Sequence, residues 1–158
     1  MRIGQGYDIH IFQEDRPLIL GGVKLSDRNG LLGHSDADVL THAVMDALLG
    51  AAGLRDIGTY FSDQDPQYKN ISSLVLLEQV LEKIRRAGYR IGNVDTIVVA
   101  EKPKLQDHIP AMKKRLCHVM KIEENQLAIK ATTKEKMDAT GQGRSMEAFA
   151  ICLLEELQ

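Results

Sequence analysis

Three side chains early in the sequence have the chemistry of metal ligands. Asp8 and His10 lie two residues apart in a stretch that alternates apolar with small or polar residues, so in a strand both point to one face. His42 follows in a segment with helical spacing. One carboxylate and two imidazoles suit a zinc site with an open position, which can polarise a phosphate oxygen. Because D-x-H pairs are common by chance, an exposed aspartate with two hydrogen-bonded histidines stays open as the alternative.

Polar residues around His42 could support such a site. Asp46 lies one turn beyond His42 in the predicted helix, where its carboxylate could orient an imidazole ring. His34 and Ser35 come directly before that helix, whose free N–H groups attract phosphate. Simple capping of the helix by Ser35 is the alternative interpretation of the same residues.

Two further segments carry reactive or polar side chains. Residues 56–65 form a turn-rich stretch with carboxylates and backbone groups that can bind hydroxyls, although an ordinary loop has the same composition. Residues 131–136 follow a predicted strand and combine hydroxyl, carboxylate and ammonium groups that can hold a diphosphate and Mg²⁺. A charged surface turn is the alternative. Gly141-Gln142-Gly143 follows no predicted strand, so we do not interpret it as a dinucleotide fingerprint.

Strands and helices that alternate along the chain must position these residues. Apolar patterning predicts strands over residues 3–11, 91–100 and 127–132, with a hairpin or bulge at Gly21-Gly22. Helical spacing predicts one helix that begins at Ser35 and ends at Gly53, and others over residues 74–84 and 109–120. The apolar run 149–154 cannot be assigned from its period. The alternation predicts an α/β or α+β layer.

Composition is typical of a globular domain. Of 158 residues, 44% are hydrophobic and 27% charged, which excludes disordered, collagen-like and coiled-coil classes. No apolar run is long enough to span a membrane, and the first residues do not resemble a signal or transit peptide. A net charge of −2 and an aromatic content of 4% argue against nucleic-acid binding. We therefore expect one cytoplasmic domain over residues 1–158, with Cys117 and Cys152 as buried reduced thiols.

The motifs, taken in order, resemble those of the 2-C-methyl-D-erythritol 2,4-cyclodiphosphate synthase family. The resemblance covers nearly the whole chain, and the H-S-D-x-D segment with the upstream D-x-H is its most specific part. It rests on Gly6-Tyr7-Asp8-Ile9-His10, His34-Ser35-Asp36-Ala37-Asp38, Asp56-Ile57-Gly58, Phe61-Ser62-Asp63-Gln64-Asp65-Pro66, Gly92-Asn93-Val94-Asp95, Pro103-Lys104 and Lys130-Ala131-Thr132-Thr133-Lys134-Glu135-Lys136.

The resemblance implies a phosphorus–oxygen lyase of the non-mevalonate route to isoprenoid precursors. In this family the 2-phosphate of 4-diphosphocytidyl-2-C-methyl-D-erythritol 2-phosphate attacks the β-phosphorus, CMP leaves, and the cyclic diphosphate forms. Positioning and charge stabilisation accelerate such transfers without a covalent nucleophile. The implied fold is α/β (α+β layered), a mixed β-sheet with helices packed on one face and with sheets facing the axis of a homotrimer.

The resemblance also assigns roles to residues of this chain. Zn²⁺, or Mn²⁺ or Co²⁺ in its place, would be bound by Asp8, His10 and His42, and Mg²⁺ by Glu135. His34 and Thr133 would stabilise the transition state, and Ser35 would seat the 2-phosphate. Direct substrate contacts are also expected from Asp8, His10, Thr133 and Glu135. The erythritol part would be held by Asp56, Ile57, Gly58, Phe61, Ser62, Asp63, Gln64 and Asp65. The cytidine part would be held by Ala100, Lys104, Leu105, Ala131 and Thr132 of a neighbouring subunit, so that the active site lies between subunits.

The chain departs from the family pattern at two places. Ser62 replaces a proline, which frees the loop backbone. Ala139 and Gln142 replace an aromatic residue and an arginine with which some members hold an isoprenoid diphosphate on the trimer axis. We therefore carry over the active site and not the axial ligand. The residues alone also fit a metal-dependent hydrolase of nucleotides or phosphoesters, or a nucleotide-binding trimer without activity.

Overall fold

The alternating residues at the start of the chain form one of the two longest strands of the structure. The computed structural model of the protein describes residues 1–157. Along β1 (Arg2–Gln13), Gly4 and Gly6 are buried on one face of the strand, whereas Ile3, Tyr7 and other odd-numbered residues are exposed on the opposite face. The small residues therefore mark the side of the sheet on which a helix packs.

Five strands form a mixed sheet, and two more form a hairpin beside it. The strands are β1, β2 (Leu18–Leu20), β3 (Val23–Ser26), β4 (Gly30–Leu31), β5 (Tyr89–Val99), β6 (Leu127–Thr132) and β7 (Ser145–Glu156). The larger sheet has the order β4-β1-β7-β5-β6; β5 and β6 run parallel, and the other neighbours run antiparallel. The turn between β2 and β3 consists of Gly21 and Gly22, both at positive φ, which confirms the predicted hairpin.

The helices stack behind this sheet. They are α1 (Val39–Ala52), α2 (Ile57–Tyr60), α3 (Ser73–Arg86), α4 (Ile109–Met120) and α5 (Asp138–Gly141). Helix α1 packs on β1 and β7, and α3 packs on both α1 and α4. The predicted mixed sheet with helices in an α+β layer is confirmed. Among residues 1–157, no helix has the length and the apolar character needed to cross a membrane.

Several boundaries differ from the sequence predictions. The first helix begins at Val39 and not at Ser35, because Ala37 adopts a left-handed φ of 57° that a helix cannot include, and Asp38 is the residue that caps it. The unassigned run 149–154 lies within β7. The short helix α2 lies in the turn-rich stretch 56–65, and α5 lies in a segment to which we assigned no element. Single turns lack the repeated apolar spacing that identifies longer helices.

A close approach of β1 to α1 lies at the centre of the fold. A Cβ atom built on Gly4 would lie 2.0 Å from the carbonyl oxygen of Ala47, and one on Gly6 would lie 1.9 Å from that of Ala43. Glycine on the strand and alanine on the helix therefore let the two backbones touch. Helix α1 is buried along nearly its whole length, and it contributes much of the hydrophobic core.

The opposite face of the sheet is apolar and exposed. Its large side chains come from β1, β5 and β7 and are Ile3, Tyr7, Ile9, Ile11, Ile97 and Ile151. Proteins that work as monomers rarely expose a contiguous apolar patch of this kind. Within residues 1–157, these side chains therefore stay exposed on this face.

We predict that Gly6→Ala destabilises the protein, whereas Gly50→Ala does not. The added methyl at Gly6 meets the backbone of α1 and forces the helix away from β1, which costs at least about 1–3 kcal/mol of unfolding free energy. Gly50 lies on α1 itself, where an added Cβ has its nearest neighbour at 3.9 Å. Alanine there raises stability by up to about 1 kcal/mol through helix propensity. Urea unfolding of the two variants tests this, and equal midpoints would contradict the close-contact argument.

Candidate functional site

Three predicted ligands meet where β1 passes the first turns of α1. Asp8 Oδ2 lies 2.9 Å from His10 Nε2 and 3.0 Å from His42 Nδ1, and the two ring nitrogens are 3.2 Å apart. One ligand atom from each residue falls within 4.8 Å of the others. Atoms bound to one tetrahedral zinc ion at about 2.0–2.1 Å are separated from each other by about 3.3 Å. The spacing and the donor set therefore fit a divalent metal ion.

Hydrogen bonding prepares the His10 ring for such a role. Its Nδ1 lies 2.7 Å from the carbonyl oxygen of Leu32, which can only accept, so Nδ1 carries the proton. The other nitrogen, Nε2, faces Asp8 and His42 and is the one left to bind a metal ion. A histidine whose second nitrogen donates to a backbone carbonyl is a common arrangement among metal ligands.

The electrostatics of the cluster also favour a positive charge at its centre. Burial alone would raise the pKa of Asp8, but the hydrogen bonds to His10 and His42 lower it to about 2. Burial alone would lower the pKa of His42, but the hydrogen bond and the charge of Asp8 raise it. Asp8 is therefore an ionised carboxylate at neutral pH, and it attracts a proton or a cation to the adjoining rings.

The start of α1 is held by a buried carboxylate. Asp38 accepts hydrogen bonds from the backbone N–H groups of Gly21, Gly22 and Thr41 at 2.7–3.0 Å, and from the Thr41 hydroxyl at 2.7 Å. Because α1 begins at Val39 with Asp38 as its cap, capping by Ser35 is wrong. The phosphate seat predicted at His34 and Ser35 stays a prediction. Asp38 also fixes the first turn of α1, which carries His42.

The loop from residue 32 to residue 36 carries His34 and Ser35 and is fastened by Arg16. The guanidinium of Arg16 donates to the carbonyl oxygens of Gly33 at 2.6 Å and Ser35 at 2.7 Å, on either side of His34. The carbonyl of His34 accepts from the N–H of Asn70 at 2.8 Å. His34 Nε2 donates to the Asp65 carbonyl oxygen at 2.9 Å, which connects this loop to the 61–65 segment.

Asp46 does not orient an imidazole ring, so that part of the sequence interpretation is wrong. Its Oδ1 accepts from the N–H of Ile57 at 2.8 Å and holds the loop that begins at Asp56. Asp56 caps α2 through bonds from the N–H and the hydroxyl of Thr59, both at 2.9 Å. Neighbouring aromatic rings, with Phe61 between Tyr60 and Tyr68, anchor the following residues.

A second group of predicted residues follows the paired ends of β5 and β6. Ala131 and Thr132 pair with Val98 and Val99, and the N–H of Ala100 donates to the Thr132 carbonyl at 3.0 Å. The Thr133 hydroxyl donates to Glu135 Oε1 at 3.1 Å. Lys104 is exposed beside an open groove of about 720 Å³, whereas Leu105 is buried in the core.

The structure thus places the predicted residues in two groups and does not join them. Within residues 1–157, no hydrogen bond connects the cluster around Asp8 with the segment that contains Thr133 and Glu135. Glu135 is also absent from the group of candidate ligands around Asp8. The roles assigned to the individual residues of both groups stay predictions.

Three polar residues that hold the site did not emerge from the sequence as site residues. Arg16 lies in a turn that offers no periodic signal, and its partners are backbone carbonyls. Asp36 lies within a segment that resembled a helix cap, and Ser73 lies just before the predicted helix 74–84. Ser73 contacts His42 only because the chain folds back, with Ser73 Oγ 2.9 Å from His42 Nε2. Asp36 reaches the ring only through Ser73.

We predict that Arg16→Met loosens the loop that carries His34. Loss of two bonds from a charged donor, each worth about 1.5–3 kcal/mol, exposes the neighbouring backbone to solvent. Amide hydrogen exchange should accelerate about tenfold or more in peptides that cover residues 32–36 and 70–71. Arg115→Met on the exposed side of α4 is the matched control. Unchanged exchange in Arg16→Met would contradict the assigned role of the guanidinium.

Comparison with known proteins agrees with this geometry. Residues 1–155 match the model of the YgbB family. Proteins named 2-C-methyl-D-erythritol 2,4-cyclodiphosphate synthase from Synechococcus sp. (strain JA-2-3B'a(2-13)) and Clostridium botulinum (strain Kyoto / Type A2) are 58% and 57% identical. The alignments cover 99% and 98% of this chain and 99% and 100% of those proteins.

Solved structures give the same result. The CDP complex of IspF from Plasmodium falciparum is 37% identical with a TM-score of 0.87, and the match covers 99% of this chain and 97% of that one. The bifunctional IspDF from Campylobacter jejuni is 41% identical with a TM-score of 0.96. The match covers 99% of this chain but 42% of IspDF, so this chain spans less than half of that protein. The family resemblance predicted from the motifs is confirmed: the chain belongs to the YgbB family.

Proposed function

We propose that this protein is a 2-C-methyl-D-erythritol 2,4-cyclodiphosphate synthase, a lyase of isoprenoid precursor biosynthesis. The convergence of Asp8, His10 and His42, in a chain 58% identical along its length to proteins of that name, carries the proposal. The reaction converts 4-diphosphocytidyl-2-C-methyl-D-erythritol 2-phosphate to the cyclic diphosphate and releases CMP. The substrate's own 2-phosphate is the nucleophile, and CMP leaves from the β-phosphorus.

The metal ion that fits the first group is Zn²⁺, held by Asp8, His10 and His42. When bound, it polarises a phosphate oxygen and offsets charge that develops during transfer. Mg²⁺ would be held by Glu135, because this ion is usually bound by one or two carboxylates together with substrate phosphates. The exposed Glu135 side chain, which also accepts from Thr133, suits a ligand that must meet the substrate.

The remaining side chains position the substrate. His34 is held through Nε2 by the Asp65 carbonyl, which leaves its other ring nitrogen, Nδ1, for contact with a substrate phosphate. Asp56 uses Oδ1 for Thr59, which leaves Oδ2 for a hydroxyl of the erythritol part. The anchored backbone of residues 33–36 and 56–65 lets these groups act without large rearrangement.

The complete active site is formed between subunits of a homotrimer. Two observations support this: the two groups of predicted residues are not joined within one chain, and the sheet presents an open apolar face with Ile9, Ile97 and Ile151. Burial of such faces around a rotation axis is a common basis of closed oligomers. In this arrangement the residues from Ala100 to Glu135 of one subunit complete the metal cluster of its neighbour.

The organisation of the whole chain and its location are predictions of the same proposal. Residues 1–158 constitute one synthase domain, which agrees with a single hydrophobic core cluster that joins α1, α3, α4 and the sheet. The enzyme acts in the cytoplasm on a small nucleotide-linked substrate. Nucleic acid and membrane are not among its expected partners.

We predict that His42→Ala abolishes metal binding and reaction together. Loss of one of three protein ligands removes the site that offsets phosphate charge, so CMP release should fall at least about 100-fold. Bound zinc is measured by elemental analysis, and products by ³¹P NMR with the cytidylyl substrate. His118→Ala, at an exposed position on α4, is the control.

The products in that assay separate the three functions considered for the residues. Cyclic diphosphate with CMP supports the synthase, whereas linear phosphates would indicate a hydrolase. Bound CDP without turnover would indicate a binding protein. Retained zinc and full activity in His42→Ala would contradict the proposed metal site.

We predict that two inactive variants restore activity when their subunits are mixed. His42→Ala damages the metal group, and Thr133→Ala damages the second group. If each site combines two chains, mixed trimers contain some intact sites, about one quarter under random exchange. Unfolding and refolding the two variants together, with each variant alone as control, provides the test. No recovery in verified mixed trimers would show that both groups act within one chain.

A further inference from the structure

The half-buried carboxylate of Asp36 fixes the hydroxyl proton of Ser73. Asp36 Oδ2 accepts from the Ser73 N–H at 2.9 Å, and Asp36 Oδ1 accepts from the Ser73 hydroxyl and, at 3.3 Å, from the Asp38 N–H. An ionised carboxylate accepts and does not donate, so the one hydroxyl proton of Ser73 is committed to Asp36. The N–H of Asp36 donates to the Ile71 carbonyl at 3.0 Å, which fixes the carboxylate relative to α3.

This commitment determines which nitrogen of His42 carries a proton. Ser73 Oγ lies 2.9 Å from His42 Nε2 and has no proton left to donate to it, so Nε2 must be the donor. Nδ1, which lies 3.0 Å from Asp8 Oδ2, is then the nitrogen that gives up its proton when a metal ion binds. The arrangement therefore leaves Nδ1, and not Nε2, available to a metal ion. Ser73 is fully buried, so water does not compete for these bonds.

His42 Nε2 also faces Ser35, but the hydroxyl proton of Ser35, unlike that of Ser73, is not committed to a partner. Ser35 Oγ lies 3.1 Å from His42 Nε2 and accepts from the Ala37 N–H at 3.3 Å. Because Nε2 already carries a proton, Ser35 cannot donate to it. The Ser35 hydroxyl proton therefore has no acceptor among residues 1–157 and is available to an incoming phosphate oxygen.

We infer that the Asp36–Ser73 pair is a positioning device, which sets His42 for metal binding through Nδ1. The Ser35 hydroxyl stays free for the phosphate role that the family resemblance already gives it. The role of Ser35 towards phosphate rests on the proposed function, whereas the role of the Asp36–Ser73 pair in metal binding does not. The inference assigns different tasks to two serines that lie at nearly the same distance from one nitrogen. Ser73 acts through His42 on the metal, and Ser35 acts on the substrate.

The test compares single variants of these serines by zinc affinity, measured by competition with a chromophoric chelator in the absence of substrate. Ser73→Ala should raise the zinc Kd about 10–100-fold, because the orientation of a ligand histidine depends on its outer partner. Ser73→Thr, which keeps a hydroxyl, should restore much of the affinity. Ser35→Ala should leave the zinc Kd within about threefold and raise KM in the CMP-release assay.

Ser72→Ala is the matched structural control. Ser72 caps α3 through the N–H of Leu74 and has no hydrogen bond to His42, so its removal weakens the helix without altering the ring. If Ser73 had a merely structural role, Ser73→Ala would resemble Ser72→Ala, with lower stability and unchanged zinc affinity. If Ser73→Ala fails to fold, Asp36→Ala tests the same pair and should also weaken zinc binding, because alanine offers the Ser73 hydroxyl no acceptor.

Two outcomes would overturn the inference. One is equal zinc affinity in Ser73→Ala and the wild type, and the other is an equal loss in Ser73→Ala and Ser35→Ala. Because the zinc measurement needs no substrate, failure of the proposed reaction is recognised separately, as absence of CMP release by the wild-type protein. Weakened zinc binding in Ser73→Ala together with active wild-type enzyme supports both conclusions.

Discussion

The contact between the backbones of β1 and α1 is the constraint on which the rest of the structure depends. Gly4 and Gly6 leave no side chain between strand and helix, so the strand lies directly against Ala43 and Ala47. Two residues beyond Gly6, the same face of the strand carries Asp8. The helix that packs so closely brings His42 within 3.0 Å of that carboxylate. A bulky residue at Gly4 or Gly6 would push β1 away from α1, and this would separate the candidate metal ligands as well as weaken the core.

Hydrogen bonds from side chains to backbone groups hold the loops of the site. They fix the positions of the loop residues although the loops have no regular secondary structure. Asp38 fastens the β2–β3 turn to α1, Arg16 fastens the loop around His34, and Asp46 fastens the loop at Ile57. Each bond is buried or partly buried, so little competition from water weakens it. Catalysis by positioning and charge, as proposed here, requires such fixed loops more than it requires a reactive nucleophile.

The residues of the proposed active site lie in two separate groups on the chain. One group is the cluster on β1 and α1, and the other follows the ends of β5 and β6, where Thr133 and Glu135 are exposed. The apolar sheet face explains how such groups can meet, because its burial favours association of identical chains. In the proposed homotrimer, activity and oligomeric state would be linked, since the surface that stabilises the assembly would also bring the second group to the metal.

The sequence by itself determined the elements with strong periodicity and the chemistry of the ligands. The spacing of Asp8 and His10 on one strand face, and the helix that contains His42, are local properties of the chain. The tertiary structure decided the start of α1 at Val39, the partner of Asp46 and the bonds of Arg16 and Ser73 to their targets. Those bonds join residues that are distant in sequence. Several of them end on backbone carbonyls or depend on the position of one proton, and neither feature can be recognised from residue types along the chain. Their physical origin is the requirement that buried polar groups find partners, and only the folded chain shows which partners are within reach.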